Sequence, residues 1–557
     1  MKSNPGRYWS LACIVLAAIL LVPILSVAWS LTRDSEGSWE HLADTVLGKY
    51  VSNTILLTVG VSCGTLLIGV STAWLVTSFS FPGVGLLRWA LLLPLAVPSY
   101  LMAYAMTDLF QFSGPVQTWL RDSMSWGRDD YWFPQVRSLG GAIFILTFCL
   151  YPYVYLAASN GFLGLSASVV EASRTLGAGP WARFSRVILP LARPAIFAGV
   201  ALVAMETMAE FGAVDYCAVD TFATGIYRTW MGRQDLIAAA QLSTCLLGAV
   251  GLLYVLESWS RRSAKFHHAT QRTQGVAPVP LTGTWGWMAL VACCLPVAVG
   301  FLLPVSRFLQ LTLAGGDSRA GELFAELAAN SALLAGAAAL LAVVIGLFLA
   351  QLRRGAATLS SRVAVRVAGL GYAIPGGVIA IGVLGPLWWF ESGVNDFTEG
   401  VFGWSPGLFL SGTVFAVLFG YLVRFLAIPL NLIGAGFEKI RPTVDDAAKT
   451  LGASRFHLLW RVHLPLLRGS IICAGLMVFV DVLKELPATL ILRPFDFDTL
   501  AVRVYQLASD ERLSEASTGA LAIILAGLVP VVLLTRILKS VHATPAVTGR
   551  RVETYDC

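Results

Sequence analysis

Glu171-Ala172-Ser173-Arg174-Thr175-Leu176-Gly177, followed by Arg186-Val187-Ile188-Leu189-Pro190-Leu191, returns later as Asp446-Ala447-Ala448-Lys449-Thr450-Leu451-Gly452, followed by Arg461-Val462-His463-Leu464-Pro465-Leu466. Every matched position is 275 residues apart. Both copies are polar and basic, with an apolar run on each side. Glu171 to Gly177 reads as a short helix stopped by glycine. Pro190 and Pro465 fall shortly before the next apolar run, where a proline bend costs least. A single copy would pass for an ordinary basic loop; two copies at matching positions mark a duplicated chain.

Around these stretches the chain is 56% hydrophobic and 13% charged. A soluble chain carries about twice that charge. Runs long enough to cross a bilayer as helices recur at Leu11–Trp29, Asn53–Phe79, Leu86–Thr107, Leu139–Ala158, Ala195–Phe211, Leu236–Trp259, Trp285–Val305, Asn330–Leu352, Val367–Trp389, Leu408–Leu426, Ser470–Leu492 and Ser517–Leu538. Lys2 and Arg7 precede the first run in the manner of a signal peptide. That run is longer than a signal core and lacks a clear small-x-small cleavage site, so it is read as a span. The nine cysteines contain no CxxC pair, and seven fall in apolar runs. They read as small packing residues, not as a disulfide framework or zinc site.

The repeat extends beyond the opening stretch. Asn53-Thr54 matches Asn330-Ser331, and Ala96-Val97-Pro98-Ser99-Tyr100 matches Ala373-Ile374-Pro375-Gly376-Gly377, both at an offset of 277. At offset 275, Glu206 pairs with Asp481, Glu210 with Glu485, Thr224 with Thr499 and Arg228 with Arg503. The expected fold is an all-α integral membrane protein of about twelve transmembrane helices, arranged as two parallel six-helix repeats. The divisions are 1–262 for the first domain, 263–284 for a linker and 285–557 for the second. With both termini placed in the cytoplasm, inside loops hold roughly twice as many Lys and Arg as outside loops, the bias of the positive-inside rule. The net charge of +6 therefore reflects orientation and gives no argument for nucleic acid; the membrane lipid is the expected surrounding partner. Parallel repeats alone do not separate an ATP-driven permease from a twelve-span secondary carrier.

The repeated stretch makes that distinction. Glu/Asp-Ala-Ala/Ser-x-x-x-Gly, about a dozen residues, then Leu-Pro, resembles the coupling motif of ABC importer permeases. The resemblance covers nearly the whole chain, as a fused pair of permease domains of the type I importer fold. It implies that Glu171, Ala172, Gly177 and Pro190, with Asp446, Ala447, Gly452 and Pro465, couple the membrane domain to an ATPase. Ser173 and Asp446 depart mildly from the pattern. The chain has no GxxxxGK[ST] loop, so ATP-Mg belongs on separate chains, expected as an ATPase homodimer; this chain is not itself an enzyme and is expected to hold no cofactor. Glu206-Thr207-Met208-Ala209-Glu210-Phe211-Gly212 and Lys484-Glu485-Leu486-Pro487-Ala488-Thr489-Leu490-Ile491-Leu492-Arg493-Pro494-Phe495 look like the ferric-iron permeases. That family implies an extracytoplasmic iron-binding protein as partner, in a bacterial inner membrane. The same machine carrying thiamine, a polyamine or another small solute is the alternative.

The residues add their own argument. Glu206 and Glu210 are four apart and would share one face of the fifth span, with Asp481 and Glu485 repeating this in the eleventh. Ionisable groups at such depth usually face a bundle interior or a water-filled path. Four carboxylates near one axis suit a hard cation, hence a transient ferric-ion path through Glu206, Glu210, Asp481 and Glu485. The competing reading is structural: Lys484 is three residues from Asp481 and can pair with it. Arg424 is expected at the inner end of its span, snorkelling. Tyr100, Tyr151, Tyr153 and Tyr155 could offer phenolic oxygens, though packing or interface anchoring is the ordinary role. His267 and His268 fall in the linker and suggest no metal role. Ser30–Gly48, Gln111–Ser138 and Gly212–Arg233 would form part of an outer docking face with their counterparts. Arg228 and Arg503 there suit either a delivering protein or a salt bridge.

Overall fold

The computed structural model describes residues 5–165, 167–177, 179–262, 278–317, 321–355 and 359–542. His267 and His268 lie outside the described residues. Among the described residues, ten helices are long and apolar enough to span a membrane, and the number is twelve if each of two bent pairs is one span. The third span breaks at Val97-Pro98, where Val84–Ala96 meets Ser99–Met124 at 92°. The second repeat breaks at the matching Ile374-Pro375, before the helix Gly376–Phe402. Pro98 and Pro375 sit just ahead of a helix start, the place where proline's missing amide is tolerated.

Pro190 and Pro465 do not break their helical segments. Pro180–Ala209 and Phe456–Leu483 are each one helical segment. A π-turn precedes each proline, at Phe184–Ile188 and at Leu459–His463. A proline lacks an amide and clashes with the preceding turn; the wider π-turn inserts one residue and accommodates that defect while the helix continues. The same device precedes Pro304, at Ala298–Leu302.

Among the described residues, the two larger hydrophobic cores do not follow the two repeats. One joins residues between Leu57 and Val219 to residues between Ala289 and Leu327 and between Leu486 and Val531. The other joins residues between Cys13 and Tyr50 and between Phe222 and Val250 to residues between Leu334 and Leu492. Each repeat thus lends its first and last spans to the other. The first helix, Pro5–Trp29, packs along Gly376–Phe402. At Gly382 a Cβ would meet the Pro23 carbonyl, and the Ser26 hydroxyl donates to the Gly382 carbonyl at 2.7 Å. Small residues permit this approach in lipid, where packing and hydrogen bonds drive association.

One sequence pairing is corrected. Thr221, not Thr224, corresponds to Thr499. Each is the N-cap of its helix, Phe222–Arg233 and Leu500–Ser509. The following amide, Phe222 or Leu500, donates to the matched hydroxyl, Thr54 or Ser331, at 3.3 and 2.8 Å. The offset there is 278, because the loop before Thr499 is three residues longer than the loop before Thr221. Arg503 accordingly matches Gly225, since their amides donate to the carbonyls of Thr499 and Thr221. Arg228 instead forms ion pairs with Asp220 and, at 3.2 Å, with Asp215. Burial pushes the Asp220 carboxyl up, and hydrogen bonds from Lys49 and Arg228 outweigh it, leaving its pKa below the ordinary value.

Candidate functional site

The carboxylates are positioned by helix ends. The helix Leu189–Ala209 carries Glu206 and stops at Glu210, whose backbone is extended. Glu210 therefore does not continue the helical face of Glu206. Its Oε1 accepts from the Ala213 amide at 3.0 Å, at the start of the short helix Gly212–Tyr216, and its Oε2 accepts from the Ser99 hydroxyl at 2.6 Å. The second repeat does the same: Leu464–Leu483 carries Asp481 and ends before Glu485, which accepts from the Ala488 amide at 3.2 Å in Pro487–Leu492. Carboxylates satisfy the open amides of a following helix, so each repeat breaks its span where an acid holds the two pieces together. The eleventh span is thus two helices.

All four acids line one cavity of about 160 Å³ between the repeats, together with Ser99, Tyr100, Cys149, Tyr153, Tyr372, Arg424 and Lys484. Arg424 donates to Glu485 Oε1 at 2.8 Å, and Lys484 lies 3.1 Å from Asp481. This corrects the placement of Arg424. Its helix, Val414–Phe425, turns by 44° into Ala427–Lys439, so the span runs well past it and Arg424 sits midway along. Its side chain is only 15% exposed. The sequence signal was a lone cation inside an apolar run. Among the tyrosines, Tyr100 and Tyr153 reach the cavity. Tyr151 and Tyr155 are buried in helix packing, with the Tyr155 hydroxyl donating to the Arg88 carbonyl at 2.9 Å. Among the described residues no three His, Cys, Asp or Glu side chains converge into a metal-holding group. Four acids against two bases leave the cavity wall formally negative without a preformed cage.

The repeated stretches form a second site. The helices Ala167–Thr175 and Pro442–Thr450 each end at a glycine of left-handed backbone, Gly177 at φ 77° and Gly452 at φ 82°. An L side chain is strained in that conformation. Glu171, Ala172, Asp446 and Ala447 are exposed. Beside them, Leu176 is 86% and Leu451 88% exposed, and Trp181 and Phe456 are exposed in the same paired way. An apolar residue left in water twice, at one repeat offset, marks a surface made to be covered.

The two stretches are anchored differently. In the second, Asp445 accepts from Arg354 at 2.7 Å and lies 3.0 Å from His463, whose other ring nitrogen is 3.0 Å from Gln351. Burial pushes the Asp445 carboxyl up, but the hydrogen bonds from Arg354 and His463 prevail and hold its pKa below the ordinary value. In the first, the place of Gln351 is taken by Trp74, which packs on Phe184 at 4.4 Å between ring centroids.

A duplicated all-helical bundle, with a charged cavity between the repeats and a matched pair of exposed surface helices, defines a solute permease. Residues 65–259 and 342–543 each match the family described as the binding-protein-dependent transport system inner membrane component, and the chain belongs to that family. It is the multi-pass inner-membrane permease subunit of an ABC transporter, a family whose members work with an ATPase and a binding protein. The chain is similar to the Fe(3+)-transport system permease protein FbpB 2 of Haemophilus influenzae, at 26% identity over 96% of this chain and 99% of that one. It is also similar to the ferric transport system permease protein FbpB of Actinobacillus pleuropneumoniae, at 22% identity over 86% of this chain and 71% of that one. The sulfate transport system permease protein CysT of Escherichia coli is 30% identical over 38% of this chain and 76% of its own length.

Proposed function

We propose that this chain imports ferric iron by alternating access. An iron-binding protein delivers the ion on the face bearing Gln111–Ser138 and Gly212–Arg233. Both termini and both repeated stretches lie in the cytoplasm. A homodimeric ATPase, holding ATP-Mg, covers the paired surfaces at Glu171, Ala172, Leu176 and Gly177, and at Asp446, Ala447, Leu451 and Gly452. Its closure passes through the π-turns ahead of Pro190 and Pro465 into the helices that carry Glu206 and Asp481.

One observation carries the reading: two acids from each repeat line a single cavity between them. Hard cations prefer such oxygen donors, and conduction favours weak multi-site contact over a closed cage. The near full-length similarity to iron permeases supports the substrate. Competition for uptake tests it. In proteoliposomes holding the permease, its ATPase and its binding protein, unlabelled ferric iron should abolish uptake of labelled ferric iron, while sulfate and thiamine leave it unchanged. Uptake of labelled sulfate would refute the assignment.

A further inference from the structure

A second cavity, of about 140 Å³, opens where the helices Glu322–Gly355, Leu359–Ala368 and Ala427–Lys439 meet. Ala350, Val365, Leu430 and Phe437 make much of its wall apolar, and Arg353 and Glu438 stand at it. It lies on the side of the surface helices. The next residue, Arg354, is bound to Asp445 of Pro442–Thr450 and to the carbonyls of Phe437 and Ile440. Arg354 is thereby committed, and Arg353 is the available cation. Among the described residues its guanidinium has one partner, Glu438 Oε1 at 2.8 Å, and both side chains of that pair are exposed. Such a pair holds weakly. Arg362, one helical turn before Val365, and Arg366 are also exposed.

The first repeat closes this place. Gly69 faces Val154 and Tyr155 as Gly346 faces Pro429 and Leu430, so Leu430 corresponds to Tyr155, Val365 to Arg88 and Arg353 to Val76. The Tyr155 hydroxyl donates to the Arg88 carbonyl at 2.9 Å, and Arg88 Nε donates to the Val76 carbonyl at 3.3 Å. The second repeat puts smaller side chains at both filling positions and an arginine at the rim.

We propose that this cavity binds the headgroup of an anionic phospholipid, with its phosphate on Arg353. The guanidinium fork matches a phosphate with two parallel hydrogen bonds, and Glu438 gives up its exposed pair. Arg362 and Arg366 add attraction at the rim. The helix Leu359–Ala368 buries Ala364, Val365 and Ala368 and exposes Arg362, Val363 and Arg366, the pattern of a helix lying in the membrane interface. Basic pockets between membrane helices on the cytoplasmic side suit the negative leaflet there. The cavity has room for a phosphate and not for an acyl chain, so the chains lie along the helices outside it. Because Arg353 adjoins Arg354, the lipid steadies the anchor of one surface helix and not of its counterpart. None of this depends on which solute is carried.

The full-length permease, stripped of lipid in a neutral detergent, is titrated with phosphatidylglycerol or phosphatidylcholine, and bound lipid is counted by native mass spectrometry. One phosphatidylglycerol should bind at least about tenfold tighter than phosphatidylcholine. Arg353→Gln should weaken it about tenfold and Arg362→Gln about fivefold. Gly434→Leu fills the cavity with every charge retained, since a Cβ at Gly434 has only Arg353 Nη1 near it, at 3.9 Å; it should remove the preference. Glu438→Gln, which deletes the competing carboxylate, should tighten binding. Arg186→Gln, at an exposed arginine of the first repeat, should change nothing. If Gly434→Leu does not fold, Arg353→Gln decides, because its side chain is exposed. Equal affinity for the two lipids, or wild-type binding of phosphatidylglycerol by Arg353→Gln, overturns the proposal. Displacement of phosphatidylglycerol by free glycerol phosphate would assign the cavity to a soluble phosphate and overturn the lipid as its occupant.

Discussion

The Ser99 hydroxyl donates to Glu210 Oε2 at 2.6 Å, which ties the start of one broken span to the end of another. The second of these segments runs from Pro180, a short loop after the exposed surface helix Ala167–Thr175. Any displacement of that helix therefore reaches the cavity wall through a hydrogen bond to an acid.

Glu210→Gln keeps the shape of this contact and removes the charge. Iron-stimulated ATP hydrolysis should fall about tenfold or more, a loss of about 1.4 kcal/mol of cation stabilisation. The amount of protein in the membrane should not change. Glu485→Gln should show a smaller loss, because Arg424 already neutralises that acid. ATPase assays on the two variants, with immunoblots of membrane fractions, check both statements.

Gly177→Ala and Gly452→Ala act on the backbone alone, since the space around both glycines is open. Each should cost about 1–2 kcal/mol in the left-handed conformation and unwind the end of its surface helix. Transport should drop, and the permease should co-purify with less ATPase. Pull-down with the tagged ATPase measures this. Undiminished binding by the double variant would remove these helices from the coupling account.

Pro190→Ala removes the reason for the π-turn at Phe184–Ile188. A regular α-helix should form there, with a gain in thermal stability. The loss of one inserted residue rotates the surface helix by about 100° relative to Glu206. Transport should fall while the melting temperature rises. Spin-label distances across the turn report the change of register.

The Asp445 network predicts an acid response. Its carboxyl has a lowered pKa in the folded protein, so its contribution is present above the unfolded value of about 3.9 and is lost as pH falls through the lower folded value. Hydrogen exchange in Pro442–Thr450, taken relative to the intrinsic rate at each pH, should be steady from pH 7 to pH 5 as far as Asp445 is concerned, and should quicken below about pH 4. Arg354→Leu should quicken it at neutral pH. Lys449→Ala should not, because its pair with Asp446 is exposed and such pairs contribute about 0–1 kcal/mol.

The helical, duplicated architecture was legible because lipid demands long apolar runs and because the repeat offset is nearly constant. The exchange of first and last spans was not legible. Periodicity tells which face is apolar, not which partner covers it. Arg424 was misplaced because a count along Leu408–Leu426 cannot see that the span continues through a 44° turn. Glu210 was placed on a helical face because spacing alone does not show that the chain ends its helix there and caps the next one. Thr221 was passed over because a three-residue loop difference was hidden by reading at a fixed offset. Leu176 and Leu451 stood inside the quoted motif, and only their exposure showed them to be a surface.

The central claim is that a motor on the paired surface helices drives ferric iron through the acid-lined cavity. It is tested most directly by reconstituting the permease with its ATPase and binding protein and measuring ATP hydrolysis and iron uptake together. The account predicts that iron-loaded binding protein stimulates both, and that Glu206→Gln with Glu210→Gln abolishes uptake while the ATPase remains bound. Undiminished iron uptake in that double variant, at wild-type protein levels, would contradict it.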